Sequence, residues 1–159
     1  MPEKALRTDS RLFHAVLRED LAAARAALES GIPPDLLGKD GLAALHSATG
    51  NPDMVLLLLE SGCPVDVRSD EDATPLMNAA QAGDFEMSRQ LLDYGANPNA
   101  ADHRGFIALH RAAERGHFEV AEILLARGAS PEPEAQGYTA LSLARLTKQP
   151  KLIALLRRG

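Results

Sequence analysis

Residues 102–129, with the sequence DHRGFIALHRAAERGHFEVAEILLARGA, contain one complete structural unit of this chain. Its first polar residues predict a turn, because Gly105 adopts a positive φ without steric cost. Residues 107–115 then place Leu and Ala three and four positions apart, a spacing typical of a short helix that ends at Gly116. A second apolar stretch follows and ends at Gly128, a favourable left-handed cap. The stretch therefore predicts a turn followed by a hairpin of two short helices.

The unit recurs along the chain at a nearly constant interval. Four glycines that follow a Leu-rich stretch are separated by 31, 33 and 33 residues: Gly31, Gly62, Gly95 and Gly128. A series of leucines keeps the same register, and each is followed three residues later by Ala: Leu12, Leu45, Leu76, Leu109 and Leu141. Each predicted helix has only about two turns, too few for stability alone in water. The units are therefore expected to be stable only when stacked.

The repeated residues resemble the ankyrin repeat, a unit of about 33 residues with a β-turn and two helices. The matches to its Thr-Pro-Leu-His-x-Ala signature are ATPLMNAA at 73–80, IALHRAA at 107–113, AALHSA at 43–48 and YTALSLA at 138–144. The resemblance covers residues 11–159. It implies an all-α ankyrin-repeat solenoid of stacked helix–turn–helix units, in which β-turns form projecting fingers, and a single domain over residues 1–159.

The repeats differ from one another in sequence, and each difference predicts a local difference in structure. Residues 1–10 are expected to be a lead-in, and the five repeats are expected at about 11–37, 38–68, 69–101, 102–133 and 134–159. The first and last are expected to be capping repeats, with a polar face toward water. Repeat two lacks two residues between its helices, and Pro52 suits the first turn of its second helix. Repeat three has Asp72 where the family's turn has Gly, so its finger is expected to differ in conformation.

Composition narrows the class of protein. A length of 159 residues suits one domain, and a hydrophobic content of 45% is sufficient for a core. The net charge of -5 argues against phosphate-backbone binding, so no nucleic-acid partner is expected. No apolar run is long enough to cross a bilayer and no secretory signal is visible, so membrane insertion is not expected. The protein is expected to be a monomer in the cytoplasm, or in the nucleus of a eukaryote.

The residue types that commonly carry chemistry have structural interpretations here. The resemblance implies that the imidazoles of His46 and His110 bond to turn backbone, and that His117 is the usual Gly-His between helices. No metal-binding His spacing occurs, so neither a metal nor another cofactor is expected. Cys63 is interpreted as a small buried hydrophobe, with a reactive thiol as the alternative. The acidic residues 70–72 are expected on a turn tip, which does not provide the burial that a general acid needs. No enzymatic activity is therefore predicted.

What remains is a binding surface. The resemblance implies that the fingers and first helices line one concave side of the solenoid. The binding positions carried over from the family are Lys39, Asp40, Leu42, Ser47, Asp70, Glu71, Asn78, Gln81, His103, Arg104, Phe106, Arg111, Glu114, Arg115, Gln136 and Tyr138. Aromatic residues and Arg are enriched at interface hot spots, which singles out Phe106 and Tyr138. The alternative for Phe106 is that it folds back over a neighbouring repeat.

Three functional hypotheses follow. The leading one is a non-catalytic protein–protein interaction module, such as a scaffold, that binds a folded partner through the concave face. The second is an inhibitor or immunity-type protein that blocks the active site of a partner enzyme. The third is a substrate of the asparaginyl hydroxylase of the hypoxia response: Asn99 follows Leu91 by eight residues, similar to the pattern that enzyme modifies in ankyrin repeats. Its alternative is that Asn99 forms a turn.

Overall fold

A computed structural model describes residues 9–158. Its helices are α1 (Arg11–Leu17), α2 (Leu21–Glu29), a 3-10 helix (Ala44–Ser47), α3 (Pro52–Glu60), α4 (Pro75–Ala82), α5 (Phe85–Asp93), α6 (Ala108–Arg115), α7 (Phe118–Ala126), α8 (Ala140–Leu146) and α9 (Pro150–Leu156). The predicted lead-in over residues 1–10 lies outside the described residues except for its last two. Isolated antiparallel bridges join Leu37 to Ala43 and Ala135 to Tyr138 within fingers. The predicted all-α class is confirmed.

The helices form two layers. In the inner layer the first helices of successive repeats pack side by side: α4 lies between the 3-10 helix and α6, and α6 lies between α4 and α8. In the outer layer the second helices α2, α3, α5, α7 and α9 pack in the same order. Each first helix also packs on the second helix of its own repeat. The predicted stacking of helical hairpins is confirmed.

The repeated leucines form the centre of the core. Leu45, Leu76 and Leu109 are fully buried, whereas Leu141 is half-buried because no inner helix beyond α8 covers it in the described residues. Small side chains fill the positions at which the layers meet closely, and eight alanines among the described residues are fully buried: Ala24, Ala43, Ala79, Ala80, Ala112, Ala113, Ala121 and Ala144. A larger side chain at these positions would force the helices apart.

Repeat two departs from the predicted pair of α-helices. Its first element is the 3-10 helix Ala44–Ser47, half the length of α4 and α6. The cause is the shortened connection, in which Gly50 takes a φ of +82° and Asn51 caps α3 by accepting from the Met54 N–H. The chain must reach Pro52 two residues earlier than in the neighbouring repeats, so the first helix loses its last turn.

The expectation of a different finger in repeat three is wrong. The Ser69 N–H donates to the Ala73 carbonyl (3.0 Å), as the Asp102 N–H donates to the Phe106 carbonyl (2.9 Å) in repeat four. Asp72 adopts a φ of +59°, the left-handed region that Gly105 occupies in the next repeat. Asp is among the few side chains that tolerate this region. One finger conformation is therefore reached with Gly in one repeat and with Asp in the other.

The two end repeats present charged side chains to water. Arg18, Arg25 and Glu29 are exposed in the first repeat, and Lys151 and Arg157 are exposed in the last. These are the polar faces predicted for capping repeats. Across residues 9–158 no helix combines the length and the apolar character needed to span a membrane.

Candidate binding groove

Fingers and inner helices of repeats two to four enclose a groove of about 460 Å³, called the groove below. It brings together most of the predicted binding residues: Asp40, Leu42, Asp70, Glu71, Asn78, Gln81, Arg104, Arg111, Glu114 and Arg115. The other predicted residues lie outside its lining: Lys39, Ser47, His103, Phe106, Gln136 and Tyr138. A direct role for this second set stays a prediction.

A buried carboxylate organises the groove at repeat four. The side chain of Asp102 is only 3% exposed and pairs with Arg111, whose side chain is 15% exposed, at 2.7 Å. Its other oxygen, Oδ1, accepts from the backbone N–H groups of Arg104 and Phe106, both at 2.9 Å. Asp102 therefore holds the finger closed and fixes the Arg111 guanidinium against it. Glu114 reaches Arg111 only at 4.0 Å.

Phe106 packs against two of the arginines that line the groove. It is half-buried and packs edge-on against His110, with 5.6 Å between ring centroids. The guanidinium carbons of Arg111 and Arg104 lie 4.7 and 5.4 Å from its ring centroid, which are favourable cation–π distances. Phe106 thus packs within its own repeat and helps to position both arginines. Tyr138, its counterpart in the last repeat, is 45% exposed.

Two buried histidines connect the fingers to the helices. His46 Nδ1 accepts from the Ala43 N–H (3.2 Å), and His110 Nδ1 accepts from the Ile107 N–H (3.1 Å). Each Nε2–H then donates to a carbonyl further along the chain, that of Ala73 for His46 and that of Pro133 for His110, at 3.0 Å in both cases. Burial lowers the pKa of both imidazoles, partly opposed by the backbone bonds. The interpretation of both residues as structural is confirmed.

The fingers are also bonded to one another. The Gly41 carbonyl accepts from the Asp70 N–H at 2.9 Å, and the Glu71 carbonyl accepts from His103 Nδ1–H at 2.7 Å. Arg68 donates to the carbonyls of Asp72 (2.6 Å) and Ala101 (2.9 Å). The fingers of repeats two, three and four therefore form a continuous, cross-linked edge of the groove.

Three further sequence-based interpretations concern residues away from the groove. Cys63 is 5% exposed, and burial raises its pKa to about 12, so the thiol is protonated and inert near neutral pH, as predicted. His117 Nε2–H donates to the Gln81 carbonyl at 3.1 Å, a structural contact as predicted. Asn99 Nδ2 donates to the Gly128 carbonyl (2.9 Å) and its Oδ1 accepts from the Ser130 N–H (2.8 Å). These bonds connect repeats three and four; hydroxylation of Asn99 stays a prediction.

Sequence reasoning missed two features of this side. Asp102 lines the groove, and its signal was an Asp at the start of a four-residue turn that ends in Gly, where the carboxylate accepts turn N–H groups. A separate cavity of about 210 Å³ near α1 is lined by Leu12, Phe13, Leu36 and Leu37. The sequence feature that could have indicated this cavity is the pair Leu36–Leu37, two apolar residues in a segment that connects helices.

Comparison with known proteins places these features in a family. A model described as ankyrin repeats (3 copies) matches residues 49–136 and 76–159. The ankyrin repeat protein R664 of Acanthamoeba polyphaga mimivirus is 38% identical over 58 residues, which is 36% of this chain and 36% of that protein. The B-cell lymphoma 3 protein homolog of Mus musculus is 36% identical over 83 residues, 50% of this chain and 18% of that protein.

A third similar protein is protein phosphatase 1 regulatory subunit 27 of Mus musculus. It is 37% identical over 73 residues, 45% of this chain and 47% of that protein. The chain therefore spans less than half the length of each of these three relatives.

Proposed function

The chain belongs to the ankyrin repeat family, and on that premise we propose that it binds a folded protein partner in the groove without catalysing a reaction. Ankyrin repeats generally mediate protein–protein interaction. The observation that carries the proposal is that three successive fingers and two inner helices, α4 and α6, line one continuous groove. Such an extended concave surface is what repeat proteins use for binding.

Rigidity supports the proposal. Each finger is closed by a backbone hydrogen bond and is bonded to its neighbours through Asp70, His103 and Arg68. The Asp102–Arg111 pair fixes a charged side chain at the groove wall before any partner arrives. A surface that is already ordered loses less conformational entropy on binding, so more of the contact energy appears as affinity.

The bonding of the two buried histidines also favours binding over catalysis. His46 and His110 have both ring nitrogens bonded to backbone, so neither is available as a general base. The family is generally non-catalytic. The alternatives of scaffold and inhibitor, the cytoplasmic or nuclear location and the monomeric state stay predictions.

A regulatory role is the second candidate. One similar protein is named as a regulatory subunit of protein phosphatase 1. On this hypothesis the partner is an enzyme, and the groove covers part of its surface. Addition of the purified chain to the isolated partner would then lower the partner's activity in proportion to occupancy, whereas a scaffold would leave that activity unchanged.

A matched pair of substitutions tests the groove. Ala82 ends α4 beside the groove residues Asn78 and Gln81, and Ala126 ends the outer helix α7; both alanines are exposed. Ala82→Arg is expected to weaken partner binding by about tenfold or more, because a long charged side chain beside Asn78 and Gln81 displaces a partner that packs on these groove residues. Ala126→Arg is expected to have no effect. The measurement is quantitative affinity purification from the native host with each variant.

Equal recovery of every partner by both variants would overturn the groove as the binding surface. Loss of partners with Ala126→Arg alone would place binding on the outer helices instead. Circular dichroism of both variants checks that each retains the helical content of the unmodified chain.

A further inference from the structure

The groove has opposite charges at its two ends. Asp40 and Glu71 line it at the fingers of repeats two and three, whereas Arg104 and Arg115 line it at repeat four. All four side chains belong to exposed residues. The lining also includes Asn78 and Gln81 of α4, whose amides carry no charge.

Not every charge at repeat four is available to a partner. Arg111 is paired with the nearly buried Asp102, so its charge is already compensated. Glu114 lies 4.0 Å from Arg111, and the groove residues of repeat four together carry three positive and two negative charges. Within residues 9–158 no ion pair engages Arg104 or Arg115. These two guanidiniums are therefore the uncompensated positive charges of the groove, in a chain whose net charge is -5.

The backbones of Arg104 and Arg115 both lie in ordered elements, a finger and a helix. The Arg104 N–H donates to Asp102 Oδ1 at 2.9 Å, and its guanidinium lies over the Phe106 ring at 5.4 Å. Arg115 is in the last turn of α6, directly before Gly116. Guanidiniums bind carboxylates well, because their planar donors match the two carboxylate oxygens.

The acidic end limits the chemistry of the partner. Asp40 accepts a weak bond from the Leu42 N–H at 3.3 Å, and Glu71 has no side-chain ion pair in the described residues. A uniformly anionic polymer or membrane surface attracted by Arg104 would be repelled at Asp40 and Glu71. A protein segment with both charges satisfies both ends.

We propose that the partner lays an extended segment along the groove, with a Lys or Arg side chain at Asp40 and Glu71 and a carboxylate at Arg104 and Arg115. The segment runs in a single direction, because its backbone and the groove are both chiral, so its two charges occur in one fixed order along its sequence. This inference rests on the proposed function, because it specifies the partner of the same groove.

A displayed library of random linear peptides tests this order. One selection uses the unmodified chain, and a second uses the charge-swapped variant Asp40→Lys/Glu71→Lys/Arg104→Glu/Arg115→Glu. The unmodified chain is expected to enrich peptides with a basic and an acidic residue in one fixed order. The swapped chain is expected to enrich the reverse order, because both ends of its groove have changed sign.

Binding constants of an enriched peptide sharpen the test. Arg104→Glu/Arg115→Glu is expected to weaken its binding by about tenfold or more, since each exposed ion pair contributes up to about 1 kcal/mol. The matched control reverses exposed charges on the outer helix α7, Glu119→Lys/Glu122→Lys, and is expected to leave the affinity unchanged. All substituted side chains are exposed, so thermal melts of the variants are expected to match that of the unmodified chain.

The outcomes separate this inference from the proposed function. Peptides without a charge order, the same order from both proteins, or no enrichment by the unmodified chain would each overturn the charged segment. If Ala82→Arg still removed the host partner in those cases, the groove would remain the binding surface. If Ala82→Arg had no effect on the partner, the proposed function itself would fail.

Discussion

The inner and outer sides of repeats three and four use charged residues in opposite ways. On the inner side Asp102 is almost fully buried and bonds to two backbone N–H groups and to Arg111. On the outer side Arg89 pairs with Glu86 and Asp93, and Arg127 also pairs with Asp93. All four outer side chains are between 39% and 47% exposed. The inner side therefore contains a buried ion pair, whereas the ion pairs of the outer side are exposed to water.

This difference supports the proposal that the inner side is the binding side. Buried charge is costly unless it is fully paired, so its presence beside the groove must be stabilised by specific structure. Exposed pairs contribute little and are screened by salt. The outer network compensates its own charges, whereas the inner side leaves Arg104 and Arg115 without an ion pair in the described part of the chain. The stability of the two sides should therefore respond very differently to substitution.

The largest effect is expected from Asp102→Ala. The substitution removes the acceptor of the Arg104 and Phe106 N–H groups and leaves Arg111 without its partner. Loss of one member of a buried pair destabilises proteins by about 3–5 kcal/mol. Urea unfolding followed by circular dichroism measures the change in the free energy of unfolding.

Asp102→Asn separates the two contributions of that side chain. An amide oxygen retains an acceptor for the finger N–H groups but loses the charge, so a smaller loss is expected, about 1–2 kcal/mol. If Asp102→Ala cost less than about 1 kcal/mol, the comparison between the two sides would fail, because the buried pair would then be no more important than an exposed one.

A smaller effect is expected from pH through His46 and His110. Burial lowers the pKa of each imidazole below the 6.5 of an unperturbed His. The native state therefore keeps both neutral, while the unfolded state takes up protons as the pH falls through 6.5. Their stabilisation is complete above this pH and is lost on acidification, at up to about 1.4 kcal/mol per pH unit for each histidine.

The double variant His46→Gln/His110→Gln checks the source of this pH dependence. Its free energy of unfolding is expected to depend less on pH between about 7 and 5 than that of the unmodified chain. His14→Gln changes an exposed imidazole and serves as the control for removal of a histidine side chain. An unchanged slope in the double variant would show that the buried histidines are not responsible.

The smallest effect is expected from Arg89→Ala on the outer side. Arg89 bonds to Glu86 and Asp93, and the pKa of Asp93 is lowered mainly by its hydrogen bond with Arg127 and also by Arg89. Because these side chains are exposed, the midpoint of thermal unfolding is expected to stay within about 2 °C of the unmodified value. A larger decrease that disappears in high salt would show that the outer network stabilises the stack.

Much of the architecture could be predicted from the sequence, because one unit repeats. The Leu series at 12, 45, 76 and 109 fixed the register, and Gly116 predicted where the inner helix α6 ends. Prediction failed at two positions where the sequence departs from the repeat and the structure accommodates the departure. The shortened repeat two kept its packing with a 3-10 helix, and Asp72 adopted the backbone conformation of Gly.

The groove was less predictable than the fold. Register placed Gln81, Arg111 and Arg115 on the correct side, and they line the groove. Register could not tell which of them already have a partner, because the Asp102–Arg111 pair depends on how the finger folds back over α6. The packing of Phe106 against Arg104 and Arg111 depends on the same three-dimensional arrangement.

The most direct test of partner binding in the groove is amide hydrogen exchange, measured on the chain alone and with its purified partner. If the groove binds the partner, exchange is expected to slow in the fingers at 38–42, 69–73 and 102–106 and in the inner helices α4 and α6. The outer helices α5 and α7 are expected to be unchanged. Slower amide exchange confined to α5 and α7, with the fingers unaffected, would contradict binding of the partner in the groove.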